Sequence, residues 1–125
     1  MRSTIMPYNI LNLFEMQNWW IENINEYYHE PFNETSWVNP THVAQPIYLT
    51  LKVLPESAKR LITKRLWDKG HKYKFKQSFN HLCNYMNSED HSHLLDDFKR
   101  FTYAMDKRGI AFQEFCDEEL YNEIF

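Results

Sequence analysis

The sequence predicts an α+β domain that is predominantly helical, with about four to five helices and one to three short strands. Three observations carry this expectation. The stretch Asn87–Gly109 has an unbroken helical period, with start and stop signals of its own. Two glycines in 125 residues leave little material for the tight turns of an all-β design. Alternating β-branched and aromatic residues, which favour strands, are confined to a few short runs. With 43% hydrophobic and 17% aromatic residues, the chain is too apolar for disorder and long enough to bury a core. A single domain over residues 1–125 follows.

Taken in order, Ser3–Met6 reads as a short strand halted by Pro7. From Asn9 the period becomes helical, through Ile10, Leu13, Phe14, Trp20, Ile21, Ile24 and Tyr28. Adjacent Trp19 and Trp20 point about a hundred degrees apart, which places one of the two at the rim of the core. Residues 29–45, with Pro31 and Pro40, read as a long loop anchored by Trp37 and Val38. The segment Pro46–Val53 is the best strand candidate, and Pro55 then opens a helix over Glu56–Lys69. That helix is expected to bury Ala58, Leu61, Ile62 and Leu66, and to present Lys59, Arg60, Lys64 and Trp67 on the opposite face, with Gly70 ending it. After a basic connector, Phe75, Phe79, Leu82, Cys83 and Met86 mark the next helix.

The capped stretch follows. Ser88 or Asn87 is the expected N-cap, Glu89 and Asp90 suit the positive end of the helix dipole, and Lys107 and Arg108 suit its negative end. Leu94, Leu95, Phe98, Phe101, Thr102 and Met105 form the apolar stripe, Asp96 reaches toward Arg100, and Gly109 closes the helix. Phe112, Phe115, Leu120 and Ile124 predict a terminal helix of two or three turns, whose Asp117–Glu119 run is expected to face solvent.

No apolar run approaches the roughly 20 residues that cross a bilayer, and the N-terminus lacks the apolar region of a signal peptide. Two cysteines, Cys83 and Cys116, are too few for a disulfide framework, so a reduced, cytoplasmic setting without membrane contact is expected. The net charge of −3 conceals a partition. Residues 1–50 sum to −4, residues 51–78 to +7, and residues 79–125 to −6.

Catalytic and metal motifs are missing from this pattern. His81-x-Cys83 and His91-x-His93 are i, i+2 pairs, which diverge on a helix, whereas helical zinc ligands favour i, i+4. Ser92, His93 and Asp96 or Asp97 share one helix and make no triad, and no glycine-rich phosphate loop exists. No cofactor is expected. The basic run is more informative. Lys59, Arg60, Lys64, Lys69, Lys72, Lys74 and Lys76, interleaved with Trp67, His71 and Tyr73, are the mixture that phosphate backbones and bases attract. The plainer reading is a charged face answering the acidic segments of the same fold.

The segment Met86–Asp90 with Ser92, Leu94, Leu95, Phe98, Phe101, Thr102, Met105, Asp106, Arg108, Gly109, Phe112 and Glu114 resembles the C-terminal end of twitch-domain radical S-adenosylmethionine proteins, many from bacteriophages and marine bacteria. Tyr48–Lys59 and, more weakly, the N-terminal strand and helix extend the likeness over most of the chain. The chain departs from that family at Phe115-Cys116-Asp117-Glu118-Glu119-Leu120, where a Phe-Pro-Glu-Leu ending is usual. It also has no Cys-x3-Cys-x2-Cys motif to ligate a four-iron cluster, so the family's catalysis does not carry over. The resemblance implies a non-catalytic interaction module or split accessory subunit, a phage protein binding a host or phage protein, and the basic run supplies the candidate partner-binding residues Lys59, Arg60, Lys64, Trp67, Lys72 and Lys74. The alternative is a small nucleic-acid-binding protein using the basic 52–76 face.

Overall fold

A computed structural model describes residues 2–24, 39–70 and 76–125. Tyr28, the loop anchors Trp37 and Val38, and the connector residues His71, Lys72, Tyr73, Lys74 and Phe75 lie outside the described residues. So do the side chains of Trp20, Ile21, Ile24 and Lys76. What is described is an α+β fold, predominantly helical, as the sequence predicts.

Strand β1 (Arg2–Ile5) appears where an N-terminal strand is expected. Its exit is fixed by Asn9, whose Oδ1 accepts from the Met6 N–H at 2.8 Å while its amide donates to the Thr4 carbonyl at 3.0 Å. The partner strand, β2 (Asn39–His42), lies inside the stretch read as a loop. It pairs parallel to β1, from Arg2 opposite Asn39 to Ile5 opposite His42. Asn-Pro-Thr-His has no apolar alternation to announce a strand, and a proline is tolerated because each member of a two-stranded ribbon is an edge.

Helix α1 (Leu13–Ile24) follows a 3-10 turn at Ile10–Asn12, and Ile10, Leu11, Leu13 and Phe14 enter the core. The strand expected at Pro46–Val53 is not one. It forms two 3-10 turns, Ile47–Leu49 and Leu51–Val53, with Thr50 extended between them. The cause is local. Thr50 Oγ1 donates to the Ile47 carbonyl at 2.8 Å, a side-chain bond that competes with a ladder. Leu49, Thr50, Leu51, Val53 and Leu54 are all buried, so this apolar run acts as a knot of core rather than one face of a sheet.

Helix α2 (Glu56–Gly70) crosses the middle of the molecule and packs against α3 (Lys76–Asn87) and α6 (Glu118–Ile124). Ala58, Ile62 and Leu66 are its buried stripe, with Leu61 half-buried, and Gly70 is its last described residue. From α3 come Phe79, Leu82 and Met86, all buried.

The capped stretch begins later than expected. Asn87 closes α3, and Ser88 Oγ donates back to the Tyr85 carbonyl at 2.7 Å, so neither residue caps the following helix. Asp90 sets the turn instead, its Oδ1 accepting from the Ser92 N–H at 2.9 Å. A 3-10 turn at Ser92–Leu94 then leads into α4 (Leu95–Asp106). Phe98 and Thr102 are its buried centre, with Leu94, Leu95, Phe101 and Met105 half-buried beside them. Arg100 pairs with Asp97 at 3.4 Å rather than with Asp96. The stop is as read. Gly109 has φ of +86°, and its N–H reaches the Asp106 carbonyl while the Ile110 N–H reaches that of Met105, the paired bonds of a Schellman close.

The expected terminal helix is two. Helix α5 (Phe112–Phe115) ends at extended Cys116, and Asp117 starts α6 by accepting the Leu120 N–H at 3.1 Å. Phe112, Cys116, Leu120 and Ile124 are buried, whereas Phe115 faces outward.

Candidate interaction face

The cations of the central basic segment divide by their position around α2 and its neighbours. Lys52 Nζ meets Glu89 Oε1 at 2.9 Å. Arg65 reaches across to α6, bonding Asp117 Oδ2 at 2.7 Å through Nη1 and Glu119 through Nη2. Of the Asp117–Glu119 run, Glu118 and Glu119 face solvent as expected, while Asp117 is half-buried and, with Glu119, is paired to Arg65. Lys59 corrects the expected face. It is only 4% exposed, and its ammonium donates to the Glu89 carbonyl at 3.3 Å. The spacing 59, 62, 66 puts Lys59 on the apolar stripe, where its alkyl stem packs and only the head seeks a polar partner.

What remains on the outer side of α2 is smaller and better defined. Arg60 and Lys64 are exposed one turn apart, and Trp67 is 60% exposed one turn further on. Arg60 Nε bonds Glu56 Oε1 at 3.2 Å, a pair exposed on both sides and of little energetic weight. Together with Thr63, Asp68 and Asn87 these residues line an open groove of about 410 Å³. Its floor is held by two side-chain bonds, Thr63 Oγ1 to the Lys59 carbonyl and Asn87 Nδ2 to the Cys83 carbonyl, each 2.8 Å. The structure thus groups Arg60, Lys64 and Trp67, removes Lys59 from them, and does not describe Lys72 or Lys74. Thr63, Asp68 and Asn87 were not anticipated; the first two sit one turn from Lys59 and Lys64, a helical relation that the spacing does carry.

A second polar cluster lies where β2, the Leu51–Val53 turn and α3 meet. The His42 ring stacks on Tyr85 at 3.6 Å between centroids and lies 5.7 Å from His81. Tyr85 donates its hydroxyl to the Val43 carbonyl at 3.1 Å, and Lys52 Nζ sits 4.5 Å from the Tyr85 ring centre. Glu89, bonded to Lys52, also meets His91 at 2.8 Å, and His91 lies 5.8 Å from His93. Lys52 and His91 hold the Glu89 carboxyl below its ordinary range, chiefly through their hydrogen bonds. Burial, with His81 and Lys52 nearby, lowers the pKa of His42. Among the described residues no group of three or more His, Cys, Asp or Glu side chains is placed to hold a metal ion.

Neither cysteine is in a disulfide. Burial raises the Cys83 thiol against an opposing bond from Thr63, and burial with the Asp117 charge pushes Cys116 up to about 12. Thiols so placed are poor nucleophiles and poor ligands at neutral pH.

Comparison of the chain with protein-family models, curated proteins and solved structures gives no significant match. The likeness to twitch-domain radical S-adenosylmethionine proteins therefore rests on the residues quoted for it.

Proposed function

We propose that the chain is a non-catalytic interaction module that seats an acidic segment of a partner protein in the groove formed by Arg60, Lys64 and Trp67. The observation that carries this reading is the exposure of Trp67 between a basic turn of α2 and Asn87, beside a groove of about 410 Å³. Tryptophan and arginine are the side chains that most often dominate binding energy at protein interfaces. The charge of the basic segment favours a protein over a polynucleotide. Among the described residues Lys52, Lys59 and Arg65 are engaged by Glu89, Asp117 and Glu119, and the net charge of −3 opposes a polyanion. The family resemblance adds a candidate for the partner: a polypeptide that carries the three-cysteine cluster motif this chain lacks.

The test uses Arg60→Glu with Lys64→Glu, and separately Trp67→Ala, sparing the buried Lys59. Both variants should keep the native far-ultraviolet spectrum and melting temperature. Both should lose a partner that the unaltered chain captures from its host, and that partner should carry an acidic segment. The unaltered chain should shift neither DNA nor RNA at low salt. A mobility shift that weakens steeply with salt and vanishes in the charge variant would instead establish the nucleic-acid reading.

A further inference from the structure

We propose that the histidines gathered around Tyr85 and Glu89 form an acid-triggered latch, which releases the end of β2 from α3 as they gain protons. The four histidines among the described residues, His42, His81, His91 and His93, all fall at this one end of the fold. They are joined in sequence by ring and ionic contacts through Tyr85, Lys52 and Glu89.

The latch is the junction at His42 and Val43. Backbone pairing holds it on one side, where the Val43 N–H donates to the Ile5 carbonyl at 3.1 Å. On the other side Tyr85 stacks on His42 and donates its hydroxyl to the Val43 carbonyl. The groups that face His42 are Tyr85 and His81 from α3 and Lys52 from the Leu51–Val53 turn; opposite it on β1 lies Ile5, buried and apolar. Among the described residues no carboxylate faces His42. The nearest in the chain of contacts is Glu89, which already serves Lys52 and His91.

Among the described residues the full cation beside His42 is Lys52, and Glu89 pairs with it. Acidification changes this balance at three points. A proton on His42 must be held in a partly desolvated stack near Lys52. A proton on His81 adds a second like charge. A proton on His91 strengthens its claim on Glu89 and so weakens the neutralisation of Lys52. Each step raises repulsion at the same junction.

The direction follows from linkage. Because the folded state holds the His42 pKa below its ordinary value of 6.5, the released state binds the proton more tightly. The latch is fully closed above about 6.5 and loses stability as the pH falls below that value. The response is centred on the end of β2, where the His42 ring and the Val43 carbonyl meet Tyr85.

The experiment is a proton NMR titration of the histidine rings, with amide hydrogen exchange corrected for intrinsic rate, on the full chain and on His42→Phe and His81→Gln. His42 should titrate below 6.5, and protection of the Val43 amide should fall with acidification more than protection at Leu82 or Met86. His42→Phe keeps an aromatic stack without a titrating group and should abolish that selective loss, while His81→Gln should shrink it. The proposal is overturned if His42 titrates at or above its ordinary value. It is equally overturned if Val43 follows the core amides at every pH. Should His42→Phe fail to fold, the native titration and the His81→Gln response decide the matter alone.

Discussion

Asp117 performs two tasks with its two carboxylate oxygens, and they can be separated by substitution. Oδ1 caps α6 by accepting the Leu120 N–H, and Oδ2 takes the Arg65 guanidinium at 2.7 Å. Loss of an N-cap costs about 0.5–2 kcal/mol. A hydrogen bond to a charged group contributes about 1.5–3 kcal/mol when shielded. Here Arg65 and Asp117 are 26% and 28% exposed, which favours the lower part of that range after solvent screening. Arg65 keeps Glu119, but that carboxylate is 64% exposed and supplies at most about 1 kcal/mol. Asp117→Ala should therefore destabilise the fold by about 2–4 kcal/mol, a fall in melting temperature of roughly 8–16 °C for a chain of this size. Asp117→Asn keeps an oxygen for the cap and surrenders the charge, so it should lose roughly half as much. Thermal unfolding in low salt and in about 1 M salt, where the screening length shrinks to about 3 Å, separates the two parts. High salt should narrow the gap between native chain and Asp117→Asn, and leave the further gap to Asp117→Ala. Equal melting temperatures for Asp117→Asn and Asp117→Ala would refute the capping role; no loss in either would refute both.

Phe98 is 1% exposed at the centre of α4, so Phe98→Ala should cost about 3–5 kcal/mol in chemical denaturation. Half-buried Phe101 should cost less when truncated, and Lys99→Ala should stay within about 0.5 kcal/mol; equal effects would refute the assigned face. Cys116 supplies a pH prediction. Its folded thiol keeps the proton to about 12, whereas the unfolded thiol releases it near 9.0, so stability is fully present below 9.0 and falls as pH rises toward 12. Cys116→Ala should remove that portion of the alkaline decline, as measured by denaturation at a series of pH values.

The helices were legible because their evidence is local and repeated. Ala58, Ile62 and Leu66 on α2, or Phe79, Leu82 and Met86 on α3, announce themselves by spacing. Gly109 announces the end of α4, because a φ of +86° is one that other residues resist. The start of that helix was misplaced since Asn87 and Ser88, the expected caps, and Asp90 are all residue types that can set a turn with a side-chain oxygen. Which one does so depends on how the others are used: Asn87 and Ser88 bond back to the Cys83 and Tyr85 carbonyls of α3, and Asp90 accepts from Ser92. The 46–53 segment failed for a different reason. A short apolar run buried on all sides does not show whether its backbone bonds go to a neighbouring strand or back on itself. The parallel β2 was hidden because Asn39–His42 gains its order from β1, more than thirty residues away.

Charge was legible as a total and misleading as a surface. The sequence places +7 between −4 and −6, which reads as one exposed basic face. Folding brings α6 and the 88–91 turn onto that segment and turns much of it inward. A carboxylate beside Arg65 or Lys52 withdraws a cation from any outside partner, and burial of Lys59 withdraws a third. The consequence bears on function. A uniform basic face would recognise polyanions by charge alone, whereas the described groove on the outer side of α2 groups an aromatic ring with Arg60 and Lys64, and with Asp68 beside them. On the proposed reading, such a groove would select by shape as well as by sign, as a protein partner requires.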